Sequence, residues 1–187
     1  MKRILISIAL IACLISGYAH ADTYTYIGTN FEFTGGDDYT TDMRVTGSFT
    51  TSIPIPPNVS NFDLSGILTS WSFNDGVQTI TNVNGVIPAP PQSDVSTDAS
   101  GNIIVTNLRF WLSPIATVVG EVSSYIDIYV PGENFVDVRG VKEEVCMSII
   151  GEGVCAIRID SYGISQHGGV WTMTAELVFV DGFESLP

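Results

Sequence analysis

Ser165, His167 and Asp160 are the residues of this chain whose types first suggest chemistry, because serine, histidine and aspartate form the triad of many hydrolases. Residues so close in sequence rarely form a triad, and the chain lacks the Gly-x-Ser-x-Gly sequence that places a nucleophilic serine on a sharp turn. Gly168 and Gly169 follow the histidine and predict a turn. We therefore expect His167 to be an exposed turn residue, and we assign no catalytic residue.

Carboxylates offer two other kinds of chemistry. A pair of the 20 aspartates and glutamates could act as acid and base in glycoside hydrolysis, although the sequence does not show which of them converge. Acidic loops could also hold Ca²⁺, which binds about six to eight oxygen ligands. The best cluster, Asp37, Asp38 and Asp42, does not have EF-hand spacing. We expect a protein that is not an enzyme and that has no cofactor, with a hydrolase and Ca²⁺ binding as alternatives.

Aromatic residues could bind carbohydrate, because flat rings stack on sugar rings while polar neighbours bind the hydroxyls. Trp71 and Trp171 are in register with the apolar residues of their segments, so we expect both in the core. Trp111 instead shares one face of its segment with Asn107 and Arg109. Trp111 is therefore the better candidate for a binding platform.

A second polar and aromatic face accompanies Trp111. Tyr125, Asp127 and Tyr129 alternate with apolar residues, which places the three on one face of a strand. If this strand and the strand of Trp111 are neighbours, their side chains form an aromatic strip. The sequence thus predicts Trp111, Tyr125, Asp127 and Tyr129 as candidate glycan-binding residues.

The elements that position these residues are strands, because alternation of apolar and polar residues with a period of two dominates the chain. The clearest alternating segments are 43–50, 67–74, 125–130 and 171–179. Clusters of Gly, Pro, Asn and Asp predict turns between them, and no segment has a convincing helical period. About ten short strands predict an all-β fold, an antiparallel β-sandwich of jelly-roll-like type. The proline-rich segment 87–100 is predicted as a long loop, an ordinary connection or a ligand-facing flap.

Cys146 and Cys155 are predicted to form a disulfide bond. They lie in two β-branched segments that flank Gly151-Glu152-Gly153, a pattern that predicts a β-hairpin. A bridge across the hairpin closes a small loop and would add about 2 to 3 kcal/mol of stability in the loop-entropy treatment. Metal binding by this pair is disfavoured, since the chain has no Cys-x-x-Cys sequence.

Residues 1–21 have the pattern of a secretory signal peptide. Two basic residues precede the apolar segment 4–15, and Ala19-His20-Ala21 fits a cleavage site before Asp22. The apolar segment is shorter than the roughly 20 residues that cross a bilayer as a helix. Lipidation of Cys13 is the alternative, because the preceding residues are similar to a bacterial lipobox. We expect an exported protein, extracellular or periplasmic, with one domain over residues 22–187 and no membrane span in the mature chain.

Strong negative charge limits the partners of this protein. The formal net charge is −13, and removal of Lys2 and Arg3 with the leader makes it more negative by two. Nucleic acids and anionic membranes need a cationic protein surface, so we expect neither as a partner. Extracellular polysaccharide and surface proteins remain as partners.

Segments 24–28, 39–41, 45–50 and 71–81, with the turn at 98–102, resemble the N-terminal half of a group of exported bacterial proteins, many of which end in a PEP-CTERM sorting signal. The resemblance covers about residues 23–112 and includes no catalytic residue. It implies a β-rich surface or extracellular protein of a Gram-negative bacterium, associated in general with exopolysaccharide and biofilm. The sorting signal itself is lacking, because the tail Phe179–Pro187 has no Pro-Glu-Pro sequence and no basic cluster.

The function hypotheses that follow from these patterns belong to three classes. The first, which we expect, is a secreted, non-enzymatic structural or matrix- or surface-associated protein, and the other two are alternatives. The second is a lectin-like carbohydrate-binding module, which needs exposed coplanar aromatic side chains. The third is a glycoside-acting hydrolase, which needs carboxylates that converge in a cleft.

Overall fold

The computed structural model describes residues 21–88, 90–113, 118–132, 136–150 and 154–176, and only the backbone of residues 149, 150, 154–160 and 176. Within these ranges the chain forms thirteen strands and no helix, so the all-β prediction is confirmed. The strands are β1 (Ala21–Asn30), β2 (Phe33–Gly35), β3 (Arg44–Thr51), β4 (Phe62–Asp63), β5 (Leu68–Asn74), β6 (Thr79–Thr81), β7 (Gly85–Val86), β8 (Ser93–Thr97), β9 (Ile103–Leu112), β10 (Val122–Val130), β11 (Asp137–Ile150), β12 (Val154–Ser165) and β13 (Val170–Glu176).

Two antiparallel sheets pack as a β-sandwich. The first is five-stranded, in the order β13-β1-β3-β5-β6. The second is eight-stranded: β2-β12-β11-β10-β9-β8-β4 follow one another, and β7 pairs with the end of β9. Strands β8 to β12 are consecutive both in sequence and in the sheet, so they form an up-and-down meander that presents one continuous outer face.

The core between the sheets is rich in aromatic rings. Phe73 of β5 and Phe110 of β9 stack across it, with ring centroids 4.1 Å apart. Trp171 of β13 packs against the same cluster, and Trp71 is buried beside Phe110. The prediction that Trp71 is buried in the core is confirmed, whereas Trp171 is partly buried and packs against the core.

The prediction of one long loop over residues 87–100 is wrong. Residues 93–97 form β8, which pairs with β4 and β9, and all of them are buried. A strand buried on both faces shows no alternation, and this one is built of Ser, Asp, Val, Ser and Thr, so it has no continuous apolar run either. The connection before β8 is therefore short, and it ends beside the site described below.

A buried carboxylate holds the turn after β5. Asp75 is completely buried and accepts hydrogen bonds from the Tyr39 hydroxyl at 2.6 Å and from the backbone N–H groups of Val77 and Gln78 at 2.9 and 2.8 Å. The Gln78 side-chain amide donates to Asp75 at 3.0 Å and to the Val141 carbonyl of β11 at 2.9 Å. This network ties the five-stranded sheet to the eight-stranded one.

Strands β11 and β12 form the hairpin predicted for the cysteines, and its turn, residues 151–153, lies outside the described residues. Cys146 is buried and lies opposite Ile157, while the backbone of Cys155 lies opposite Ile149. The side chain of Cys155 is outside the described residues, so the Cys146–Cys155 disulfide stays a prediction.

Predictions for both ends of the chain fall outside the part that the structure describes. They concern the signal peptide up to residue 20, the lipidation of Cys13 and the tail Phe179–Pro187. In the described ranges no helix has the length and apolar character to cross a membrane.

Candidate functional site

The strand of Trp111 and the strand of Tyr125, Asp127 and Tyr129 are neighbours, as the aromatic-strip hypothesis requires. In the pairing of β9 with β10, Trp111 lies opposite Tyr125, Asp127 opposite Arg109, and Tyr129 opposite Asn107. The intervening residues of both strands point into the core. The predicted residues therefore share the outer face of the eight-stranded sheet.

Arg109 connects the predicted residues. Its Nε and Nη2 atoms donate to Oδ2 of Asp127 at 3.1 and 2.5 Å. The guanidinium carbon lies 5.0 Å from the ring centroid of Tyr125 and 5.7 Å from that of Trp111, within cation–π range. The two rings are tilted by 51° with centroids 4.7 Å apart. They hold the arginine and do not form a coplanar platform.

The burial of two of the predicted side chains also differs from what an open aromatic strip requires. Tyr125 is only 3% exposed and Asp127 only 4%, although both lie on the outer face. The sequence pattern predicted that this face would be polar and wet. The structure therefore leaves Trp111 and Tyr129, which are half-buried, as the more accessible of the predicted aromatic residues.

Strand β11 adds two further residues to the same face. Arg139 lies opposite Asp127, and Asp137 lies opposite Tyr129. Arg139 Nε donates to Oδ1 of Asp137 at 2.8 Å, and a second contact joins its Nη2 to Oδ2. Asp127 thus has an arginine on the neighbouring strand at each side.

A cleft of about 270 Å³ lies over this row. Its lining combines an amide, two guanidinium groups, two carboxylates and a phenol with the end of the loop before β8. The lining residues are Pro91, Gln92, Asn107, Arg109, Asp127, Tyr129, Asp137 and Arg139. Trp111 and Tyr125 are not among them, and their contribution to the cleft is to hold Arg109 in place. We call this site the β9–β11 cleft.

The electrostatics of the outer face follow from burial. Burial raises the pKa of Asp127, and the charge and hydrogen bonds of Arg109 partly offset this effect. The pKa of Glu144 is also raised by burial. Burial and the charge of Asp63 raise the pKa of Asp94, which lies beside Asn107. The two arginines and two aspartates that line the cleft carry balanced formal charges, in contrast to the acidic chain as a whole.

The cleft can donate and accept many hydrogen bonds at once. A guanidinium has five N–H donors, and each of the two arginines directs its Nε and Nη2 groups to one carboxylate. Asn107 donates to the Pro91 carbonyl, which fixes the loop over the cleft. These groups stand on three paired strands, so their positions are well defined.

The sequence pattern had already placed Asn107 and Arg109 beside Trp111, but it did not indicate Pro91, Gln92, Asp137 or Arg139. The alternation of Asp137 and Arg139 around the buried Val138 was a usable signal. This alternation places Asp137 and Arg139 in the site only because β11 pairs with β10.

His167 is an exposed turn residue, as predicted. Its side chain is 73% exposed and its Nδ1 contacts the Glu32 carboxylate. The hydroxyl of Ser165 bonds the backbone carbonyl of His167 at 3.1 Å and not its ring, and Ser165 is completely buried. The side chain of Asp160 lies outside the described residues. The pair Ser165 and His167 therefore lacks the geometry of a nucleophile with its base.

The calcium candidates lie in the loop before β3. Asp38 accepts from Lys142 Nζ of β11 at 2.8 Å, and this ion pair lowers the pKa of Asp38. Among the residues that the structure describes, no three or more His, Cys, Asp or Glu side chains are grouped so that they could hold a metal ion. Asp37, Asp38 and Asp42 thus form no such group.

Fold and cleft together define an antiparallel β-sandwich with a polar cleft on the outer face of its larger sheet. Comparison of the chain with protein-family models, with curated proteins and with solved structures gives no match. The resemblance to exported PEP-CTERM-type proteins therefore stays a prediction.

Glu144 offers a test of the buried charges on this face. Its Oε2 atom is buried and has no hydrogen-bond partner among the described residues. The pKa of Glu144 is higher in the folded protein than in the unfolded chain. The stability that this group contributes is therefore fully present below its unfolded pKa, and it is lost as the pH rises through its folded pKa. We expect the stability of Glu144→Gln relative to wild type to increase between pH 4.5 and pH 8, by about 1.4 kcal/mol per unit of pKa elevation.

Chemical denaturation of both proteins at several pH values measures this difference. Asp98→Asn is the control, because the hydrogen bond from the Asn102 side chain lowers the pKa of Asp98. Its difference from wild type should stay nearly constant between pH 4.5 and pH 8, because a carboxyl with a lowered pKa is already ionised over this range. A Glu144→Gln difference that does not change with pH would contradict the prediction.

Proposed function

We propose that this protein is an exported, non-catalytic β-sandwich that binds carbohydrate in the β9–β11 cleft. The observation that carries the proposal is the composition of the lining, in which Asn107, Arg109 and Asp127 stand beside the Tyr129 phenol. Amides, carboxylates and guanidinium groups bind sugar hydroxyls through paired hydrogen bonds, and an aromatic ring covers the apolar side of a sugar.

The charge and the size of the cleft limit which ligands it can bind. The balanced charges of the lining favour a neutral glycan, because the surrounding chain is acidic and repels polyanions. The volume of about 270 Å³ lies just below the range of about 300 to 1,000 Å³ that is usual for drug-sized ligands. A short segment or the end of a polysaccharide chain is the best match.

Both carboxylates of the cleft are bound to arginine side chains, which supports carbohydrate binding without hydrolysis. Asp127 is bound by Arg109, and Asp137 by Arg139. A glycosidase needs one carboxylic acid that can give its proton to the leaving oxygen and a second carboxylate that acts on the sugar. Oxygens already bound to guanidinium groups are poorly placed for either role.

Binding measurements on the purified protein test this proposal. We expect retention on at least one of cellulose, xylan, galactan or dextran, and at least tenfold weaker retention for Arg139→Gln, which loses guanidinium donors of the cleft. Arg44→Gln is the matched control, because Arg44 is exposed and lies on β3 of the other sheet. Trp111→Ala should also weaken retention, since the indole holds Arg109.

The outcomes separate the three function classes. Retention that is weakened in Arg139→Gln and unchanged in Arg44→Gln supports the cleft, and melting curves show whether the variants are folded. Equal retention of all variants would place binding elsewhere. Release of reducing ends from the same polysaccharides would replace this proposal with a hydrolase. No retention on any of them, with or without calcium, would leave a structural surface protein.

A further inference from the structure

Two buried polar atoms from opposite sheets lack hydrogen-bond partners at one end of the sandwich. They are Oγ1 of Thr106 on β9 and Nε1 of Trp171 on β13, and neither has a partner among the described residues. Thr106 is only 1% exposed. Buried polar groups are nearly always hydrogen-bonded, and those that appear orphaned usually bind water or a ligand.

Both atoms belong to residues that line the same small cavity between the sheets. The cavity has a volume of about 50 Å³, and its other walls are Tyr26, Ile103, Ile104, Val130 and Gly169. A water molecule needs about 10 to 15 Å³ of such space. The cavity is thus large enough for water and too small for a sugar or a comparable organic ligand.

The Tyr26 hydroxyl gives this cavity a third polar group. It accepts a hydrogen bond from the Gly169 N–H at 3.0 Å, while its own proton has no acceptor in the part of the chain that the structure describes. Burial raises the pKa of Tyr26 to about 12, so the hydroxyl keeps its proton over the physiological range. The indole N–H can only donate, whereas the threonine hydroxyl can donate and accept.

We infer that this cavity binds an ordered water molecule that bridges the two sheets between Thr106 and Trp171. The water accepts from the indole Nε1–H and from the Tyr26 hydroxyl, and it donates to Oγ1 of Thr106. Two to four polar partners are usual for a buried water. The inference does not depend on carbohydrate binding in the β9–β11 cleft, which lies on the other face of β9.

High-resolution crystallography and NMR of the whole protein test this site. We expect density for a water within about 2.7 to 3.2 Å of both Thr106 Oγ1 and Trp171 Nε1. In solution we expect a cross-peak between the indole N–H and a slowly exchanging water, weakened at least threefold in Thr106→Val. Valine has the shape of threonine without the hydroxyl.

Thr174→Val is the matched control, because Thr174 is an exposed residue of the same strand as Trp171. Its water cross-peak should equal that of the wild type. A crystal structure in which Thr106 bonds directly to Trp171, or in which the wild type has neither the density nor the cross-peak, would overturn the inference. A cross-peak that is equally strong in Thr106→Val would overturn the bridge between the sheets.

Discussion

Replacing Asp75 with alanine is expected to lower the free energy of unfolding by on the order of 4 kcal/mol, which is a large part of the stability of a typical domain. The carboxylate is completely buried and accepts four hydrogen bonds, from Tyr39, Val77 and two groups of Gln78. Alanine leaves the buried Tyr39 hydroxyl and the half-buried donors of Val77 and Gln78 without this acceptor. It also releases the link from the turn to β11.

Equilibrium denaturation of three variants measures this effect. Asp75→Asn keeps one carbonyl oxygen for the backbone N–H groups, so its loss should be smaller than that of Asp75→Ala. Asp98→Ala is the matched control: Asp98 also accepts backbone N–H groups of its own turn, from Ser100 and Asn102, but these hydrogen bonds are exposed to solvent. We expect a much smaller loss of stability there, because water replaces the lost acceptor. Equal losses for Asp75→Ala and Asp98→Ala would show that burial does not set the cost.

Gly140 of β11 explains why this network has little room for change. A Cβ atom at this position would lie 2.4 Å from Oδ2 of Asp75, which real Cβ atoms do not reach. Glycine is therefore required for the close approach of the strand to the carboxylate, and not for an unusual backbone angle.

Replacing Arg109 with methionine is expected to cost on the order of 3 kcal/mol at pH 7 and to abolish carbohydrate binding in the β9–β11 cleft. Asp127 is buried, and Arg109 is the cation that binds it. Methionine retains much of the apolar contact with Trp111 and Tyr125 but leaves the carboxylate without the guanidinium that donates hydrogen bonds to it, and the neighbouring Arg139 is bound to Asp137. The cost should shrink as pH falls toward 4, because the pKa of Asp127 is already raised by burial and protonation removes the unpaired charge.

A double variant separates the lost pair from lost packing. Arg109→Met combined with Asp127→Leu removes both charges, and buried pairs replaced by apolar residues are often neutral for stability. We expect it to recover most of the stability at pH 7 while binding stays lost. If the double variant is no more stable than Arg109→Met, the buried charge is not the cause. Full binding by either variant would remove Arg109 from the site.

Only part of the candidate site could be predicted from local sequence patterns. The alternation of Ile126 and Ile128 with Tyr125, Asp127 and Tyr129 correctly assigned the two faces of β10. It did not indicate that Tyr125 and Asp127 are buried, because burial of an outer face depends on segments that are distant in sequence. Here Asp127 is covered by Arg109, which lies eighteen positions earlier on β9. Tyr125 is covered by Arg109 and by Trp111, which lies fourteen positions before it.

Strand β8 was missed for a related reason. Its aspartate is of a type depleted in strands and its two serines do not favour one, and it is held by backbone pairing with β4 and β9. The same pairing places Asp94 beside Asn107 at the edge of the cleft. No window of the sequence contains this information.

Periodicity and turn residues within short segments were sufficient to predict the all-β class, the faces of β10, the burial of Trp71 and the hairpin of β11 and β12. The pairing of the strands is known only from the folded chain, and it is this pairing that brings Arg109, Asp127 and Arg139 into one row under a cleft. Strand order follows from the packing of whole sheets against each other. Side chains from three strands therefore become a site only after the complete chain has folded.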